Sequence, residues 1–225
     1  MVFIRWLGHS SMEVIMAGRT ILLDPWFDVQ PKKMERLVPP AITEDKVRAC
    51  DLIFISHEHF DHCSPFDVNS IVQRTYAHVV APEEAMALLN IPASRRVSAN
   101  AGEAFHLQGI DVEVVEARHP QSTHCVGYIL RGEGKSVYFA GDTYEYYGMS
   151  EYDVDVAILP IGGTFTMDPI AALKAVKTMR CRYVVPVHYG TFKQIAPDAR
   201  EFASRVKAST KTSPVVLAPG EGFDI

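Results

Sequence analysis

The apolar run Leu52-Ile-Phe-Ile, closed by Ser56, leads without a break into His57-Glu58-His59-Phe60-Asp61-His62. A short apolar run of this kind reads as a buried strand. A strand that delivers three imidazoles and an aspartate within six residues needs a fold that hides its body and opens its end. Imidazole nitrogen and carboxylate oxygen are the natural ligands of zinc and similar divalent ions. In a turn after a strand, His57 and His59 can address one ion, and Asp61 and His62 a second beside it. Two ions about 3.5–4 Å apart can share one hydroxide, a strong nucleophile at neutral pH. A solvated polar loop would account for one histidine here, not for this density.

One loop holds too few ligands for two ions, and other strand ends supply more. Val112–Ala117 runs into Arg118-His119-Pro120, Ser136–Ala140 into Gly141-Asp142-Thr143, and Tyr183–Val187 into His188-Tyr189-Gly190. Any one of these alone reads more simply as a structural or surface residue. Together with the 57–62 cluster they read as ligands converging on one sheet edge, where a rigid scaffold positions loop residues. His124 competes with His119 for the third imidazole; His119 is preferred because it directly follows a strand. His124 is otherwise placed to contact substrate or protonate a leaving group. Asp61 can also orient the hydroxide or carry a proton. His9, at the turn after the first strand, either stands behind the metal ligands or faces the substrate, or else is only bonded to backbone. Asp24 either accepts the outer N–H of a ligating imidazole or only closes an Asp-Pro turn. Gly162-Gly163 could present N–H groups to an anion.

Further short apolar runs predict strands at Val2–Leu7, Met12–Met16, Thr20–Leu23, Leu52–Ser56, His78–Ala81, Val126–Leu130, Val154–Pro160 and Val215–Ala218. Helices are predicted over Pro65–Thr75, Pro82–Leu89, Pro169–Met179 and Pro197–Lys207. Ser64-Pro65 and Asp168-Pro169 both place a capping residue before a proline at the first helical position. Early strands joined by tight turns, and later strands alternating with helices, indicate an α/β or α+β sandwich. Gln30–Ala41 reads as a surface loop near the site rather than a linker, so residues 1–225 are expected to form a single domain. A formal charge of −5 over 225 residues argues against a nucleic-acid partner. Four scattered cysteines, no apolar block of membrane length and no leader-like N-terminus predict a reducing, cytoplasmic setting.

His57-Glu-His59-Phe-Asp61-His62 resembles the HxHxDH signature of the metallo-β-lactamase fold superfamily, with His119, Asp142 and His188 at its later ligand positions. Trp6-Leu-Gly-His9-Ser, Leu23-Asp24-Pro25-Trp26, Leu159-Pro-Ile-Gly-Gly163, Val187-His188-Tyr-Gly-Thr-Phe192 and Pro219-Gly-Glu-Gly-Phe223 extend the likeness over nearly the whole chain. These motifs resemble the largely uncharacterised metal-dependent hydrolases of that fold, relatives of L-ascorbate-6-phosphate lactonase. The resemblance implies a four-layer αββα sandwich. It implies one ion on His57, His59 and His119, a second on Asp61, His62 and His188, and Asp142 bridging them. Zinc is the expected metal, with Mn2+ or Fe2+ as alternatives. The expected activity is hydrolysis of a small ester, lactone or phosphorylated metabolite, so the partner is a small molecule, an anionic one included. The alternative is a phosphodiesterase or ribonuclease of the same fold, and a homo-oligomer is compatible with the resemblance.

Overall fold

The computed structural model describes residues 1–32 and 34–225. Lys33, within the predicted loop Gln30–Ala41, lies outside the described residues.

The first sheet is built from β1 (Phe3–Gly8), β2 (Ser11–Met16), β3 (Arg19–Leu23), β4 (Leu52–Phe54), β5 (His78–Ala81), β6 (Arg96–Ser98) and a late strand (Gly222–Asp224). The second contains β7 (Ala104–Leu107), β8 (Ile110–Glu116), β9 (Val126–Gly132), β10 (Lys135–Phe139), β11 (Asp153–Pro160), β12 (Arg180–Val187) and β13 (Ser213–Pro214). The late strand is β14, and the spatial orders are β14-β1-β2-β3-β4-β5-β6 and β13-β12-β11-β10-β9-β8-β7. Hairpins make β1, β2 and β3 antiparallel, and β3, β4, β5 and β6 then run parallel. The second sheet repeats the arrangement, with β7 to β10 antiparallel and β10 to β13 parallel. By this alternation β1, β3 and β4 end at one edge of the first sheet. The ends of β8, β10, β11 and β12 likewise share one edge of the second. The carboxyl edges of parallel strands are where ligands bind in sheets of this kind.

Period-two alternation decides what each sheet buries. Met12, Val14 and Met16 face Val112, Val114, Tyr128, Leu130, Val137 and Phe139 in the core between the sheets. The alternate residues face outward and need helices over them. On the first sheet Leu22, Ile53 and Val79 pack under Val68, Ile71 and Val72 of α1 (Pro65–Thr75). On the second, Ile129, Tyr138 and Val184 pack under α3 (Pro169–Thr178) and α4 (Ala199–Ser209), whose Ala172, Val176, Phe202 and Val206 point inward. Three apolar layers between four layers of structure give the αββα sandwich.

α1 has its predicted bounds: the Ser64 hydroxyl accepts from Asp67 N, and a left-handed Tyr76 (φ 58°) ends it. The predicted helix at Pro82–Leu89 shrinks to α2, Glu83–Met86. Its chain leaves the helical path so that Leu89 and Ile91 can enter the core beneath it. α4 starts two residues late, because Asp198 caps Arg200 N and Glu201 N and leaves Pro197 outside. Of the strand predicted at Val215–Ala218, none is regular strand: the register with β12 ends at Val184 opposite Pro214, a last bond runs from Val215 N to the Val184 carbonyl at 2.8 Å, and the chain turns at Ala218–Glu221 toward β14. No strand is predicted at β6, β7, β13 or β14. All four are edge strands, with no buried side chain and no apolar run to announce them. Among the described residues no helix is long and apolar enough to cross a membrane.

Candidate metal centre

Each candidate ligand stands just past the end of a strand on the shared edge. His9 follows β1, Asp24 follows β3, residues 57–62 follow β4, His119 follows β8, Asp142 follows β10 and His188 follows β12. Three of them, His9, Asp24 and His188, sit in the left-handed region at φ 54°, 43° and 56°. Each such position costs a non-glycine residue of order 1–3 kcal/mol, and each turns a side chain inward that an extended backbone would carry past the edge.

His57 Nε2 and His119 Nε2 lie 2.9 and 3.2 Å from His59 Nδ1. Three nitrogens on a tetrahedral ion at about 2.0 Å would be separated by roughly 3.3 Å, so this group has the spacing of a cation cage. The opposite ring atoms are fixed by the fold: His57 Nδ1 donates to Ser56 Oγ at 2.9 Å, His59 Nε2 to the Gln121 carbonyl at 3.1 Å and His119 Nδ1 to the Phe165 carbonyl at 3.2 Å. These bonds select the tautomer that leaves the inward lone pairs free. Burial lowers the pKa of both His57 and His119, which keeps them neutral. A neutral imidazole is the form that ligates.

Beside it is a second group, His9, Asp61, His62 and His188, whose ligand atoms lie within 4.8 Å of one another. Asp142 stands between the groups. Its Oδ2 is 3.2 Å from His188 Nε2 and 3.8 Å from His119 Nε2, and its Oδ1 is 3.3 Å from His62 Nε2. Burial disfavours the Asp142 charge, but His188 and His62 outweigh it and hold its pKa well below the usual range. His62 is disfavoured as a cation by burial, yet Asp142 on one side and Asp24 on the other raise its pKa well above ordinary. A pocket that demands positive charge between carboxylates, with His62 Nε2 and Asp142 Oδ1 buried and lacking hydrogen-bond partners, fits a divalent cation.

Asp24 is fully buried and anchors both groups. Its carboxylate accepts from Ser56 N at 2.7 Å, Ser56 Oγ at 2.6 Å and His62 Nδ1 at 2.7 Å. Ser56 thereby links Asp24 to His57, a role its place at the end of an apolar run did not reveal. Glu58 faces away from the cluster and accepts from Ser122 Oγ at 2.7 Å and Thr123 N at 3.0 Å, clamping the loop that carries His119. His124 is turned out of the cluster. Its Nδ1 lies 3.4 Å from Glu84, so it is not placed to protonate a leaving group. His9 is buried among Trp26, His188 and Phe192, with Nε2 3.3 Å from Asp61 Oδ2. It is closer to the cluster than a turn histidine bonded to backbone would be. The Gly163 N–H donates to the Met167 carbonyl at 3.1 Å and is not offered to an anion.

Gly162 has a different role: a Cβ there would come within 2.5 Å of the His188 carbonyl oxygen and 2.9 Å of its Nδ1. Gly162→Ala is therefore expected to displace His188 and lower kcat/KM about a hundredfold, the cost of misplacement by about 1 Å. Circular dichroism should show the fold intact, and metal analysis should show weaker retention of one ion. Wild-type kinetics in this variant would refute the packing argument.

The groups open into a cleft of about 290 Å3 that also exposes Met34, Phe60, Gln121, Phe165 and Phe192. None of these five was singled out from the sequence, because loop aromatics are indistinguishable there from core residues.

The family described as the beta-lactamase superfamily domain matches residues 19–189. A UPF0173 metal-dependent hydrolase of Thermofilum pendens is 37% identical over 231 residues, covering 98% of this chain and 98% of its own. A second, from Thermococcus kodakarensis, is 35% identical and covers 100% of both. Among solved structures, Igni18, described as a novel metallo hydrolase from the hyperthermophilic archaeon Ignicoccus hospitalis, is 32% identical with a TM-score of 0.86. The match covers 100% of this chain and 99% of that one.

Proposed function

The chain belongs to the beta-lactamase superfamily, as a metal-dependent hydrolase, and from that we propose that it uses two divalent ions, zinc by preference, to hydrolyse a small ester or lactone. The observation that carries the two-ion reading is Asp142, whose one oxygen faces His119 in the first donor group and His188 in the second. His57, His59 and His119 would hold the first ion, and Asp61, His62 and His188 the second, with Asp142 shared. An all-nitrogen-and-oxygen donor set suits zinc and also admits Mn2+ or Fe2+. When bound, such ions lower the pKa of water toward neutrality and stabilise negative charge that develops on an attacked carbonyl.

The chain's own residues supply the rest. Asp61, on the cleft wall with His9 beside its Oδ2, is positioned to take a proton from the water and return it to the leaving oxygen. Asp24 and Ser56 keep the imidazoles in the ligating tautomer. Phe60, Phe165 and Phe192 narrow the cleft and limit the water that reaches it. His124 has no part in this chemistry. Four free thiols fit a reducing compartment such as the cytoplasm.

Metal removal tests the reading. Chelation is expected to abolish turnover and, for each ion present at about a hundred times its Kd, to withdraw about 2.7 kcal/mol of stability. For a chain of this length that is a fall in Tm of roughly 5–10 °C. Plasma mass spectrometry after reloading with zinc should find two ions per chain. Activity should return on an ester or lactone and stay low on a phosphodiester. Saturation at one ion, or preferential cleavage of the phosphodiester, would overturn it.

A further inference from the structure

We infer that the cleft selects an uncharged carbonyl substrate carrying a compact apolar group, an aryl or branched alkyl, and discriminates against phosphorylated molecules. The inference rests on the hydrolase reading and narrows its substrate class. Beyond the candidate ligands, the described lining consists of Met34, Phe60, Phe165, Phe192 and one neutral polar residue, Gln121. No lysine or arginine stands among these described lining residues. Arg36, on the loop that carries Met34, is not among these lining residues: its guanidinium lies 4.0 Å over the Trp26 ring, and its Nε and Nη1 donate to the carbonyls of Val38, Trp26 and Asp28.

The aromatic wall is also packed from behind. Phe60 and Phe192 both pack on Trp26, with ring centroids 5.8 Å apart in each pair, and Phe192 also contacts His9 at 5.3 Å. Phe165 stands at the mouth, 37% exposed, while its carbonyl fixes His119. An apolar group entering this space covers ring faces that already exclude water. A phosphate placed on the same wall would shed its hydration with no cationic side chain among the described wall residues to replace it. A volume of about 290 Å3 is at the lower end of small-molecule pockets, which sets the compact size. In the reaction, water oxygen bonds to the carbonyl carbon, the ester carbon–oxygen bond breaks, one proton passes to the leaving oxygen, and the acid loses its own to solvent.

The test separates selectivity from activity. In metal-depleted protein, saturation-transfer NMR should show benzamide binding with contacts from aromatic side chains, and phenylphosphonate should bind at least tenfold more weakly. In zinc-loaded protein, kcat/KM for phenyl acetate should exceed that for phenyl phosphate by at least a hundredfold, and each methylene added to the acyl group should raise it about fourfold until the cleft is full. Phe165→Arg should lower the phenyl acetate value at least tenfold and shift the ratio toward phenyl phosphate. Benzamide binding without turnover of any substrate would uphold the selectivity and overturn the hydrolase reading. Turnover with phenyl phosphate equal to phenyl acetate, or phenylphosphonate bound as tightly as benzamide, would overturn the selectivity.

Discussion

Replacing Asp142 with Asn is expected to lower kcat/KM on the order of a thousandfold and to reduce bound metal from two ions per chain toward one. The carboxylate is buried between His62 Nε2 at 3.3 Å, His188 Nε2 at 3.2 Å and His119 Nε2 at 3.8 Å. An amide of the same shape offers one neutral oxygen and turns an NH2 group either toward His62 or toward His119 and His188 together. At least one donor group then meets a donor where an ion would need an acceptor, and neither keeps the anionic charge. Catalytic cations contribute several kcal/mol of charge stabilisation, and about 4 kcal/mol corresponds to three decades in rate. The variant should fold, because the backbone carbonyl that accepts from Cys125 Sγ is untouched. Metal analysis with steady-state kinetics decides it: two ions retained with activity within tenfold of wild type would sink the shared role of Asp142.

The second large effect is on stability as well as binding. Asp24→Ala removes the one acceptor that serves Ser56 N, Ser56 Oγ and His62 Nδ1 in a fully buried position. Breaking a buried charged network on one side costs about 3–5 kcal/mol, which for this length is a Tm drop of roughly 6–20 °C. Both donor groups should suffer, since His62 is held directly and His57 through Ser56, and loss of such outer partners weakens metal affinity or activity about 10–100-fold. Asp24→Asn keeps the volume but places an NH2 against at least one of three donors, so it should recover little of the loss. Thermal unfolding in chelator isolates the folding term, and titration with zinc isolates the affinity term. Unchanged values in both would remove Asp24 from the network.

The donor clusters were legible in the sequence for a physical reason. Their residues follow apolar strands that the core requires, so strand ends and candidate ligands coincide at 57, 119, 142 and 188. The limits of α1 were legible because Ser64 and Pro65 act locally. The choice between His119 and His124 was not local. It depends on Glu58, sixty-four residues from Ser122, whose carboxylate clamps the loop and leaves His124 outside, against Glu84. The edge strands β6, β7, β13 and β14 escaped because they bury little, and their pairing comes from neighbours rather than from their own pattern. The cleft wall escaped for the opposite reason. Phe60, Phe165 and Phe192 are apolar residues on loops, and only tertiary placement distinguishes a substrate wall from a core.

His57 and His59 belong to the first sheet and His119 to the second; Asp61 and His62 come from the first and His188 from the second. Any ion seated in either group is consequently a rivet through both halves of the sandwich. It would restrain sliding at the carboxyl edge and join segments as distant in sequence as residues 61 and 188. Loading with metal and fastening the two halves at that edge would then be one event.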